Sequence, residues 1–110
     1  MINTIPIISH YEIPERLLDA YKLLYDIENY LRDLLINSQL SYHLTYEKLS
    51  FFHVITLIDS LPSTKSNFKR DTIANLYHTV KIRNKVCHMH NIDNQEYHVL
   101  YACWKELFES

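Results

Sequence analysis

The stretch IANLYHTVKIRNKVCH, Ile73 to His88, decides how the chain is read. A helical residue advances about 100°, so Ile73, Leu76, Tyr77 and Val80 fall within one arc, and Asn84 and Cys87 are the next residues on it. Sixteen residues of this pattern without a proline predict a helix. Its inner face is expected to turn polar. Arg83 and His88 flank that arc about 140° apart, so Arg83, Asn84, Cys87 and His88 continue a face that began as core. A merely solvated face would set its polar groups opposite the apolar stripe. The pattern predicts polar groups turned toward a groove or a second molecule.

Working outward, this helix should cover about 68 to 90. Pro14-Glu15 suits a first helical turn, since proline is tolerated at the first position and acids favour the positive end of the dipole. A helix is predicted from Pro14 to Ile36, its stripe Leu17, Tyr21, Leu24, Leu31 and Leu35 interrupted by Glu28. A carboxylate at that position needs a partner, either Arg32 at i+4 or a cation on another helix. A second helix is expected from Thr45 as N-cap to Leu61, with His53 hydrogen-bonded in the core or at an interface. Residues 62 to 67 read as a turn-forming loop. Asp93 and Glu96 form a capping-box pattern before the stripe Tyr97, Leu100, Tyr101, Trp104, Leu107 and Phe108. Residues 1 to 13 are expected to be an irregular N-terminal arm.

Composition agrees with an all-α chain. The 110 residues, 47% apolar and 22% charged, suit a single packed domain over residues 1 to 110. Glycine is absent. That excludes P-loops, dinucleotide fingerprints and nucleophile elbows, and it disfavours tight hairpins. The fold expected is an antiparallel four-helix up-and-down bundle. Cys87 and Cys103 show no metal-type CxxC spacing, no signal peptide is recognisable, and no segment has the roughly 18 apolar residues of a membrane span. A soluble, cytoplasmic chain without membrane association is the expectation.

The net charge of −2 conceals segregation. Lys65, Lys69, Arg70, Lys81, Arg83 and Lys85 face a single acid, Asp71, within residues 65 to 85, about +5 locally. Lys69, Arg70, Lys81 and Lys85 are the candidate RNA-binding residues on this account.

The run Lys81-Ile82-Arg83-Asn84-Lys85-Val86-Cys87-His88 resembles the R-x4-6-H signature of HEPN domains, in the form with Asn after Arg. The order of four helices, the Glu28-to-Arg32 segment and the helix ending at Phe108 are similar to that family as well. The resemblance implies a metal-independent endoribonuclease without cofactor, usually a homodimer with a shared cleft. Many such proteins are toxins of toxin-antitoxin pairs or abortive-infection (antiphage) effectors, so a cognate antitoxin or defence-system protein is an implied partner beside RNA. Carried over by residue, Arg83 would hold the scissile phosphate and His88 would act as general acid or base. Asn84 would support that geometry or the dimer contact. Glu28 would hold Arg83 from behind, with Cys87 a small packing neighbour of the active histidine.

The chemistry is compatible with these roles. Attack by the 2′-hydroxyl needs proton transfer and stabilised charge on phosphorus, which an imidazole and a guanidinium supply. The products would be a 2′,3′-cyclic phosphate and a 5′-hydroxyl. One departure stands out: a subset of HEPN toxins carries tyrosine two residues after the histidine, and His90 occupies that place. It could add a second imidazole to the cleft.

Cys87, His88, His90, His98 and Cys103 lack a usual four-ligand spacing for zinc, so no metal is expected. Tyr42, Tyr46, Tyr77 and Tyr101 read as core tyrosines before they read as base-stacking ones. The rival function is a non-catalytic HEPN interaction module, adaptor or antitoxin-like, using the same face to bind protein.

Overall fold

The structure is a computed structural model that describes residues 14–38 and 49–109. Among these residues there are four helices, one isolated helical turn and no strand. Helix α1 spans Glu15–Asn37, α2 Phe51–Ser60, the single turn α3 Pro62–Lys65, α4 Arg70–Cys87 and α5 Asn94–Phe108. The expected arm 1 to 13, Thr45, Tyr42 and Tyr46 lie outside the described residues.

The caps explain most boundaries. Pro14 precedes α1, with Glu15 in its first turn. Asp93 accepts from the Glu96 amide at 2.7 Å, while the Glu96 side chain accepts from the Asp93 amide at 2.9 Å, so the capping box is complete. Helix α2 is shorter than its hydrophobic run suggests. Ser50, not Thr45, is its N-cap, accepting from the His53 amide. Leu49 stays outside the helix, and the exposed His53 meets Ser50 Oγ at 2.8 Å at the rim instead of entering the core. The expected loop at 62 to 67 opens with α3, because Pro62 suits a first helical position and Thr64, fully buried, donates to the carbonyls of Ile58 and Leu61.

Strict alternation of helix directions is not what the contacts trace. Arg16 reaches the Ile92 carbonyl, Trp104 donates to Asp26, and the ring of Phe108 meets Tyr30, so α1 and α5 run side by side in the same direction. Helix α4 runs against both: Thr72 donates to Glu106 near its start and Lys85 pairs with Glu96 near its end. The bundle is therefore helical and packed, with a parallel α1/α5 pair in place of the antiparallel one expected.

Two core clusters stack along α1. Leu17, Ala20 and Leu24 pack on Ile82, Val86, Ile92 and Leu100, while Ile27, Leu31 and Leu35 pack on α2 and on Ile73, Leu76 and Cys103. Apolar burial of this kind supplies most of the stabilisation of such bundles. The buried stripe of α1 includes Ala20 and Ile27 and leaves Tyr21 exposed, because α4 and α5 together cover a wider arc than one neighbour would. No helix among the described residues is long and apolar enough to cross a membrane.

Candidate functional site

The inward face of α4 rotates along its length. Ile73 and Leu76 are buried near α2, whereas Ile82 and Val86 are buried against α1 and α5. The core therefore does not turn polar at the C-terminal end of α4, as the helical arc predicted; it shifts to the other side of the helix. The original arc runs past α2 instead. Phe51, the first residue of α2, lies beneath the Arg83 guanidinium, whose carbon is 5.9 Å from the ring centroid. One turn further on, Asn84 and Cys87 are exposed.

Beyond that point α1 and α4 enclose an open groove of about 310 Å³. Glu28, Asn29 and Leu24 line it from α1, as do Arg83, Val86 and Cys87 from α4, with Tyr21 and Tyr25 at its α1 rim. Glu28 links its walls. One carboxylate oxygen accepts from Arg83 Nε at 3.1 Å and the other from Arg32 Nη2 at 2.8 Å. Both partners considered for this carboxylate, local and remote, are thus present together. Arg32 also donates to the Leu49 carbonyl, tying the cluster to the entry of α2. Glu28 thus holds two guanidinium groups at once, in a groove with apolar walls. Among the described residues Arg83 is hydrogen-bonded through Nε alone. Its two Nη nitrogens, which form the fork that matches phosphate, have no partner among the described residues.

His88 caps the C-terminus of α4 and is exposed. Met89 then adopts a left-handed conformation at φ 61. The His90 amide donates to the Lys85 carbonyl at 2.8 Å and the Met89 amide to the Val86 carbonyl at 3.0 Å, a Schellman ending with methionine where glycine is usual. This sharp reversal brings the rings of His88 and His90 to a centroid distance of 6.2 Å. Neither ring has a hydrogen-bond partner among the described residues. A non-glycine residue at positive φ costs about 1–2 kcal/mol. That backbone cost is spent at the junction of the two imidazoles.

The other expected residues are dispersed. Lys85 pairs with Glu96 at 2.7 Å, a hydrogen bond that raises its ammonium above the ordinary lysine value. Lys81 borders a separate α4/α5 groove beside His78 and Asp93. Lys69 and Arg70 sit at the opposite end of α4, about 20 Å from Arg83 along the axis at 1.5 Å per residue. Lys69 borders a third groove with Tyr30 and Glu106. The four candidate RNA-binding cations therefore do not form one patch around Arg83. Cys87 lines the groove and is exposed, so it is not a packing residue. Cys103 is buried, and burial pushes its thiol up to about 12. Tyr77 is half-buried with its hydroxyl on Asp59 at 3.0 Å, and burial raises it above the usual tyrosine value. Tyr101 is exposed, stacked on Trp104.

Sequence reading missed Tyr21 and Tyr25 as groove residues. Tyr21 was assigned to the buried stripe, and only the positions of α4 and α5 reveal which side of α1 stays open. Among the described residues no group of three or more His, Cys, Asp or Glu side chains is placed to hold a metal ion. Comparison of the chain with protein-family models, with curated proteins and with solved structures finds no match in any of the three.

Proposed function

We propose that this protein is a metal-independent endoribonuclease of HEPN type, working as a homodimer with a shared cleft and acting as a toxin or antiphage effector. The observation that supports this reading is Arg83: braced by Glu28 through Nε, its Nη fork has no hydrogen-bond partner among the described residues and lies in an open groove, on the helix that ends in two exposed imidazoles. Such a fork is suited to the charge that develops on phosphorus during 2′-hydroxyl attack. His88 moves the proton, and His90 stands beside it as a second imidazole.

Arg83 and His88 leave α4 about 140° apart. In the proposed enzyme the cleft is completed across two chains, so that a guanidinium and an imidazole from different copies flank one phosphate. Asn84, exposed between them, supports that arrangement. A cognate antitoxin or another defence protein would restrain the activity in the cell.

The experiment is incubation of purified protein with total RNA and chelator, comparing wild type with Arg83→Ala and His88→Ala. Cleavage by wild type alone, with 2′,3′-cyclic phosphate ends, is the expected result. Cleavage that persists in either variant overturns the assigned roles. A second reading, a non-catalytic interaction module, is favoured by Leu18, Tyr21 and Tyr25, each at least half exposed at helical spacing beside the groove. It predicts no cleavage by any of the three proteins and capture of a protein partner lost on substituting Tyr21 or Tyr25.

A further inference from the structure

Tyr21 and Tyr25 have no role in the proton and charge chemistry above, yet both stand in the same groove as Arg83. They lie one turn apart on α1 and keep 58% and 61% of their surface exposed, more than any other Phe, Tyr or Trp among the described residues. Their rings differ by about 40° around the helix and by about 6 Å along it. Asn29 follows Tyr25 by one further turn. Its Nδ2 donates to the Tyr25 carbonyl, which orients the amide and leaves its oxygen as an acceptor at the groove.

An anion-binding fork and two flanking aromatic faces are complementary to one chemical unit, a phosphate carrying an adjacent planar base. We infer that Tyr21 and Tyr25 are base-stacking, specificity-determining residues that restrict this groove to unpaired RNA, stacking the bases beside the phosphate held by Arg83. This rests on the endoribonuclease reading and adds its substrate selectivity. A base stacked within a duplex hides its face from protein side chains, whereas a splayed base offers it. The Asn29 oxygen accepts from an exocyclic amine of the stacked base. The Arg83 Nη donors supply the complementarity to a phosphate that an uncharged aromatic patch would lack.

The test is binding of a fluorescently labelled, purine-rich RNA strand made uncleavable by 2′-O-methylation, against the same strand annealed to its complement. Wild type, Tyr21→Ala, Tyr25→Ala, Tyr25→Phe and the exposed control Tyr101→Ala are compared by anisotropy, with folding checked by circular dichroism. The expected result is at least tenfold preference of wild type for the single strand. Each alanine variant in the groove loses about tenfold, the phenylalanine variant stays near wild type, and Tyr101→Ala is unchanged. On a cleavable strand, the alanine variants raise KM and keep kcat.

Equal binding of strand and duplex, or alanine variants that bind like wild type, overturns the inference. So does conversion of a dimer to monomers by Tyr21→Ala, which would make these rings an interface. Because the probe cannot be cut, loss of catalysis with Tyr-dependent binding intact would count against the endoribonuclease reading alone.

Discussion

Glu28 of α1 and Arg83 of α4, 55 residues apart, are joined by a 3.1 Å hydrogen bond from Nε, the one guanidinium nitrogen not needed for a forked grip on phosphate. Glu28 is also the acceptor for Arg32, so a single carboxylate positions two cations from two directions. Removing it with Glu28→Ala leaves two partly buried guanidinium groups facing each other. A loss of about 2 kcal/mol in urea unfolding is expected, in the range of charge-assisted hydrogen bonds. RNA cleavage falls together with it. Glu28→Gln, which keeps an oxygen for Arg83, recovers most of the stability. Equal stability of all three proteins would show that the bridge is only a surface pair.

Arg83→Ala and His88→Ala, each inactive alone, are expected to regain part of the wild-type cleavage when mixed in equal amounts, because each mixed dimer then has one site with Arg83 from one chain and His88 from the other. No recovery on mixing would mean that each site draws both groups from a single chain.

Met89 occupies a left-handed position that its side chain disfavours. Met89→Gly should stabilise the fold by about 1 kcal/mol and raise Tm, since glycine carries no Cβ penalty there. Because the Schellman hydrogen bonds are retained, cleavage should persist. A lower Tm would indicate that the exposed methionine makes contacts beyond the single chain.

The Asp93 and Glu96 box at the start of α5 is expected to contribute about 1 kcal/mol. Asp93→Ala tests this by thermal unfolding, with Asp93→Ser as the variant that retains an acceptor. A loss confined to Ala assigns the effect to the cap.

Cys103 titrates near 12 in the folded protein against an ordinary value of 9.0, because burial disfavours its thiolate. The folded state then holds a proton that the unfolded chain releases. Its contribution is complete below about pH 9 and is lost as pH rises from there toward 12. Unfolding between pH 8 and 11 should show a falling stability that Cys103→Ala flattens. At pH 8, exposed Cys87 should react with a thiol reagent while Cys103 does so only after unfolding.

Helix positions were largely legible because their signals are local. Pro14 and the Asp93–Glu96 box act within four residues of chain, Leu17, Leu24, Leu31 and Leu35 recur at seven and four residues, and the structure has helices at each of these places. The missed boundaries have local competitors. Ser50 displaces Thr45 as a cap, and Pro62 begins a helical turn as readily as it ends the preceding helix. Of the arc from Ile73 to Cys87 only Cys87 reaches the groove, and the arc did not show that Ile82 and Val86 would carry the core onward on another side.

Sequence by itself determined that the chain is helical, that Glu28 needs a cationic partner and that Arg83, Asn84 and His88 share one helix, since periodicity and the cost of a buried lone charge depend on nothing distant. Tertiary structure alone decided that α1 and α5 run in the same direction and that Tyr21 and Tyr25 face an open groove, and it holds the Glu28–Arg83 contact that the family resemblance implies. Those outcomes are set by which helices become neighbours. The contact between residues 28 and 83 forms only after the chain has closed a loop of more than fifty residues, and no local preference encodes where that loop ends.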